Sequence, residues 1–111
     1  MKYIIRPAAK EDIIRQFRYY LLEEAFDAAD KFIDAVDDTI ESLCRMPEVG
    51  ASKQFNHPIL AGLRSWGVKG FEDMRIYYVI EGDVLRVVRV LHGKRDINKI
   101  LKRAGNEEAR H

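Results

Sequence analysis

An α+β fold is predicted, and three features predict it: a β-hairpin signature over residues 74–92, two amphipathic helical stretches before it, and a short strand that opens the chain. The hairpin arms, residues 74–80 and 84–92, are rich in β-branched and aromatic residues and contain no Pro, with Glu81-Gly82-Asp83 between them. A two-residue loop at Gly82-Asp83 gives Gly82 the φ > 0 position of a type II′ turn and sets Glu81 opposite Val84. Alternation then places Met74, Ile76, Tyr78 and Ile80 on one face with Leu85, Val87, Arg89 and Leu91. Arg75, Tyr77, Val79, Arg86, Val88, Val90 and His92 take the other face. The first set is apolar except for Arg89 and is the expected core face. A three-residue loop would exchange the faces of one arm, because side chains alternate with period two.

Residues 2–6 form the opening strand, and Pro7 suits the first position of a helix, where its missing N–H has no intrahelical partner. Ile13/Ile14, Phe17 and Tyr20/Leu21 recur at helical spacing and define a first helix over residues 8–22. Phe26, Ala29, Ile33, Val36, Ile40 and Leu43 trace the apolar stripe of a second helix, with acids on its other face and Pro47 beyond its end. Between the two, residues 22–27 contain no Gly, Pro, Ser or Asn. A helical hairpin bent near Glu24–Phe26 is the preferred reading, and one long bent helix is the alternative. Pro47, Gly50, Asn56, Pro58 and Gly62 mark a loop with at most one helical turn. Residues 63–68 make the next strand, expected to pair with the opening strand, and residues 69–73 turn into the hairpin. Ile97, Ile100, Leu101 and Ala104 give a short last helix. One domain over residues 1–104 follows, with residues 105–111 expected to fray.

Composition is that of a globular protein: 47% hydrophobic and 10% aromatic over 111 residues. No apolar run approaches the roughly 18 residues of a membrane helix, and the opening segment does not read as a signal peptide. No membrane association and a reducing cytoplasm are the expectation. Cys44, the single cysteine, ends a helical stripe and reads as a small buried hydrophobe. The net charge of +1 conceals a strong asymmetry. Residues 23–41 carry eight acids against Lys31, whereas residues 84–103 carry seven bases against Asp96. One face suits an anionic partner and another repels it.

No Gly-rich phosphate loop, Ser-His-Asp set or paired catalytic carboxylates is present. The histidines stand 35 and 19 residues apart with no cysteine nearby, so neither a metal nor another cofactor is expected. His57, beside Pro58, reads as a solvated loop residue. What remains is the far end of the hairpin, where antiparallel pairing brings Arg75 toward His92, Lys94 and Arg95. Cations stabilise the charge of a phosphoryl transition state and His moves protons near neutral pH. The plain alternative is that basic strand ends only solubilise the sheet.

The segments Gly62-Leu63-Arg64-Ser65-Trp66-Gly67-Val68, Ile76-Tyr77-Tyr78 with Glu81-Gly82-Asp83, and Arg89-Val90-Leu91-His92-Gly93-Lys94-Arg95-Asp96 resemble the ParE branch of the ParE/RelE toxin superfamily. Pro7-Ala8-Ala9-Lys10-Glu11-Asp12 is similar to the family's opening helix, residues 28–36 to its second, and Met46-Pro47-Glu48-Val49-Gly50 to the following loop. The likeness runs in family order over about residues 1–101. It implies the toxin of a type II toxin–antitoxin pair, silenced by a cognate antitoxin in a hetero-oligomer.

By this resemblance the ParE branch poisons DNA gyrase by binding, and Arg64, Arg75, His92, Lys94 and Arg95 would form the target-contact surface. The RelE branch cuts messenger RNA on the ribosome, which would make Arg75, His92 and Arg95 catalytic. Leu101, however, stands about where a RelE-type tyrosine is expected, and Ala25-Phe26 replace a Ser-Pro type cap. The gyrase reading is therefore preferred over the nuclease, with an inactive antitoxin-binding remnant as a further alternative.

Overall fold

The computed structural model describes residues 1–53, 60–96 and 98–103. The chain runs β1 (Lys2–Ile5), α1 (Pro7–Leu22), α2 (Phe26–Arg45), β2 (Ala51–Ser52), β3 (Arg64–Val68), β4 (Phe71–Glu81) and β5 (Val84–His92), and residues 98–103 are again helical. The α+β architecture is as expected. The expectations for His57, Ile97, Ala104 and the tail 105–111 lie outside the described residues.

The hairpin of β4 and β5 turns where the sequence places it. Glu81 pairs with Val84, and Gly82 has φ 60. Farther from the turn the predicted alternation fails. Tyr78 pairs with Val87 but Tyr77 pairs with Arg89, so Val88 is an extra residue on β5. This β-bulge inverts the last part of the strand. Val90 joins Ile76 in the core beneath the helices, Leu91 faces away with Tyr77 and Val79, and His92 comes opposite Met74.

The strand order is β1-β5-β4-β3-β2. β1 does not pair with residues 63–68; it runs parallel to β5, with Tyr3 opposite Leu85 and Ile5 opposite Val87. The edge beside β3 is taken by β2, two residues in what read as loop, where Ala51 pairs with Ser65 and Ser52 with Arg64.

Both faces of the sheet are covered. On one, Phe32, Val36, Ile40 and Leu43 of α2 pack with Met74, Ile76, Tyr78, Leu85, Val87 and Val90. Phe32 lies edge-on to Tyr20 and Phe71, with ring centroids 5.5 and 5.3 Å away. On the other, Leu60, Leu63, Tyr77, Val79, Val88, Leu91 and Leu101 form a second cluster. Fully burying each large apolar side chain contributes about 1.5–3 kcal/mol, before the conformational entropy lost on folding is set against it.

The inner stripe of α2 is Ala29, Phe32, Val36, Thr39, Ile40 and Leu43. Phe26 and Ile33, expected inside, are exposed. Phe32 takes the inward position because it is the residue that meets Tyr20 and Phe71. On α1 the buried residues are Ala9 and Asp12, with Ile13 and Tyr20 against the core, while Ile14 and Leu21 face out.

Asp12 explains how α1 is seated. β1 gives its last rung to β5 when Arg6 N–H donates to Val87 C=O (3.0 Å), and Pro7 then turns the chain into α1. Beyond that rung the described residues place no strand on this side of β5, and the Asp12 carboxylate takes over. It accepts Val90 N–H at 3.0 Å and both Nε and Nη2 of Arg89, at 2.7 and 2.8 Å. A buried carboxylate thus meets a forked cation and an otherwise unpaired amide.

The α1–α2 bend needs neither Gly nor Pro. Ala25 N–H donates to Tyr20 C=O and Glu24 N–H to Leu21 C=O, while Glu24 sits at φ 57. This is a Schellman ending with glutamate in the left-handed position that glycine ordinarily fills.

Asp12→Ala is expected to lose about 3–5 kcal/mol of stability, because Arg89 would remain mostly buried without its carboxylate. Urea unfolding checks this. Glu24→Gly, by contrast, is expected to raise stability by about 1 kcal/mol through relief of the left-handed backbone, seen as a higher urea midpoint.

Candidate functional site

The basic end of the hairpin is a short turn built around His92. Gly93 N–H donates to Asp73 C=O at 2.8 Å, which carries the β4–β5 ladder one residue past the strand. Lys94 N–H donates to His92 Nδ1 at 3.1 Å and Arg95 N–H to His92 C=O at 3.0 Å. His92 is half-buried, whereas Lys94 and Arg95 are exposed. Asp96 follows, its carboxylate 3.4 Å from Lys99 N–H at the start of the last helix.

His92 and Arg95 line a concavity of about 780 Å³ between the hairpin end and α1. Its other walls are Gln16, Tyr19 and Tyr20 from α1 and residues 70–74 leading into and along β4. The Tyr19 ring is more than half exposed and lies 5.9 Å from Tyr20 between centroids. One wall is therefore cationic, the opposite one aromatic, and Glu72 and Asp73 place carboxylates along the margin. Glu72 is partly committed, accepting Gly70 N–H. Neither Gln16 nor Tyr19 was a candidate from sequence. The apolar stripe read on α1 runs through Ile13/Ile14, Phe17 and Tyr20/Leu21, and Gln16 and Tyr19 fall outside it with no motif to single them out.

Arg75 reaches the same end of the sheet but not the same face. It pairs with Leu91, and its Nη2 donates to Ser65 Oγ on β3 at 3.0 Å. Gly67 permits this approach, since a Cβ there would stand 3.0 Å from Arg75 Nη1 and 3.2 Å from Glu72 O. The predicted common face for Arg75 and His92 is thus corrected by the bulge at Val88. Arg75 instead borders a separate groove of about 700 Å³, lined by Leu43, Met46, Val49 and Trp66, with Asp38 and Glu41 on the α2 side.

Arg64 belongs to neither concavity. Its Nη1 donates to Glu48 C=O at 2.9 Å and Gly50 C=O at 2.8 Å, fastening the loop after α2 to β3. Tyr78 holds the same loop from below. Its hydroxyl donates to Pro47 C=O at 2.8 Å and accepts Gly50 N–H at 3.0 Å. Burial pushes the Tyr78 hydroxyl above its usual pKa, against the opposing pull of the Gly50 N–H and of Arg64. Tyr77 is raised in the same way by burial, opposed by Arg75.

On the far side, burial and the neighbouring Asp34, Glu41 and Asp38 raise the Asp37 carboxyl, which marks the density of charge along α2. Burial also raises the half-buried Cys44 thiol, the setting of a packed thiol rather than an activated one. Leu101 is buried in the second core cluster. Among the described residues no three His, Cys, Asp or Glu side chains are grouped to hold a metal, and no helix is long and apolar enough to cross a membrane.

A family model described as the ParE toxin of the type II toxin–antitoxin system parDE matches residues 3–97. Among solved structures, a chain from the chromosomal ParDE TA system of P. aeruginosa superposes with a TM-score of 0.51 at 18% identity, covering 83% of this chain and 95% of that one. At that identity the likeness is one of fold. No curated protein sequence matches.

Arg64→Ala is expected to cost about 1.5–3 kcal/mol, the range for hydrogen bonds made by a charged group. Lys94→Ala and Arg95→Ala, at exposed positions, should each stay within about 0.5 kcal/mol of the parent. Parallel denaturant titrations of the three variants distinguish a structural clamp from a free surface.

Proposed function

The chain belongs to the ParE toxin family of type II toxin–antitoxin systems, and we propose that it inhibits DNA gyrase by binding and is neutralised by a cognate antitoxin, acting in the cytoplasm. The observation that carries this reading is the turn after half-buried His92, where Lys94 and Arg95 stand exposed beside the aromatic concavity of Tyr19 and Tyr20. Such a surface works as a contact. Aromatic side chains supply large, rigid area, and cations at the rim steer an acidic partner and fix its register. Nothing in this role requires a shifted proton affinity.

On this reading the contact surface is narrower than the set Arg64, Arg75, His92, Lys94 and Arg95. Lys94 and Arg95 form its cationic part beside His92, and Gln16 and Tyr19 extend it onto α1. Arg75 lies on the opposite face and Arg64 is occupied with the loop after α2. This division bears on the ribonuclease alternative, which needed Arg75 and His92 on one scissile phosphate. Leu101 fills the second core cluster rather than offering a side chain to a substrate.

The acidic outer face of α2 disfavours nucleic acid on that side of the molecule. An antitoxin that covers the basic turn with carboxylates, and seats apolar side chains against the exposed Tyr19, would block the target-contact surface directly. Toxin and antitoxin would then form a hetero-oligomer whose association is fast at low salt.

In a supercoiling assay the purified chain is expected to inhibit gyrase. Arg95→Glu and Tyr19→Ala should each weaken inhibition by about tenfold or more, as charge reversal and removal of an aromatic anchor do at interfaces. Inhibition of a reconstituted translation reaction, with supercoiling untouched, would overturn the gyrase reading in favour of the ribosome.

A further inference from the structure

The two ends of the sheet are finished differently. At one end β2 has only two residues, too short to template another strand. At the other, β1 is the outermost strand, and the described residues place no strand beyond it. Its inward bonds are marked by Lys2 N–H to Asp83 C=O (3.1 Å) and Arg6 N–H to Val87 C=O (3.0 Å). In a parallel ladder the N–H and C=O of one residue point the same way and alternate along the strand. Lys2, Ile4 and Arg6 therefore bond toward β5, and the main-chain groups of Tyr3 and Ile5 point outward. The side chains at this edge are open as well, with Tyr3 41% and Ile4 48% exposed.

The side-chain pattern says what such an edge would accept. Lys2 and Ile4 share the face of Val84 and Arg86, and Arg6 continues it in extended backbone at φ −63, ψ 152. An apolar residue thus sits between two cations along an open edge. A second copy of this chain fits poorly. The antiparallel register that uses both outward residues centres on Ile4 and sets Lys2 opposite Arg6 of the other copy, twice, and like charges directly opposite destabilise a strand pair. An acidic strand meets the same positions with opposite sign. Arg6 has interactions within the chain and contributes its field, so exposed Lys2 offers the direct pairing.

We propose that the β1 edge receives an extended acidic segment of a partner protein as a sixth, antiparallel strand, with carboxylates opposite Lys2 and Arg6 and an apolar side chain opposite Ile4. The natural source of that segment is the antitoxin, and in this respect the proposal rests on the toxin–antitoxin reading. Strand addition supplies main-chain hydrogen bonds for affinity, and the alternate side chains supply selectivity. The site lies apart from the His92 turn, so one partner could hold both.

The test is an amide-resolved NMR titration of the isotope-labelled full chain with two capped peptides, Glu-Thr-Val-Thr-Glu and its charge-reversed form Lys-Thr-Val-Thr-Lys. The acidic peptide is expected to shift the Tyr3 and Ile5 amides and to bind about tenfold more tightly than the basic one, with Lys2→Glu removing most of that preference. Tyr3→Pro removes an outward N–H that β5 does not use, so the variant should fold and lose the response. Equal responses to the two peptides, or shifts confined to the His92 concavity, would overturn the proposal. So would a concentration-dependent dimer abolished by Tyr3→Pro, which would assign the edge to a second copy. A response at β1 from a chain that leaves gyrase untouched would uphold the edge and reject the target reading alone.

Discussion

The bond between Asp12 and the β5 edge is the constraint on which the rest of the molecule depends. A strand that loses its neighbour halfway along must find partners for its remaining amides or expose them. Here β1 leaves after Ile5, and α1 crosses the vacated edge with one carboxylate aimed at Val90 N–H and the Arg89 guanidinium. The seat of α1 and the end of β1 are thus one arrangement. Because Val90 and Arg89 follow directly on the bulged residue Val88, the same carboxylate holds β5 in its shifted register.

That register determines what the surface offers. With His92 turned toward Met74 and α1, the cationic turn borders a cleft walled by tyrosines. With Arg75 turned the other way, a second cation is withdrawn toward Ser65 and Gly67. The charges that look like one cluster along the chain are divided by the thickness of a sheet. The acids of α2 are segregated again, on the solvent side of the helix that backs the core. A partner approaching this molecule therefore meets distinct electrostatic faces rather than a uniform field.

Much of this was legible in the residues. Gly82-Asp83 set the hairpin turn, Pro7 the start of α1, and the spacing from Ala29 to Leu43 the existence of α2. What was not legible has identifiable physical causes. Phe26 and Ile33 fit an apolar stripe as well as Phe32 does, and only the meeting of Phe32 with Tyr20 and Phe71 decides which one is inside. Asp12 reads as a solvated helix residue because its partner Arg89 lies 77 positions away. β1 is too short to carry its own pairing preference, so its place beside β5 comes from tertiary packing. The bulge left one trace, the apolar doublets Val87-Val88 and Val90-Leu91, which break strict alternation. For the candidate site, the turn at residues 92–95 was visible as charge. Its aromatic wall on α1 was hidden because aromatic residues on a helix are ordinarily core.

The loop after α2 carries one further implication. Gly50 lies against the Tyr78 ring so closely that a Cβ would overlap its hydroxyl, and that same hydroxyl holds the loop by two main-chain bonds. Neither position can drift alone. Enlarging residue 50 displaces the phenol, and trimming residue 78 takes the hydroxyl away from the buried Gly50 N–H and from Pro47 C=O. Sequences sharing this fold should then be found in two separated sets, one pairing glycine with tyrosine and another that abandons both together, with few viable steps between them.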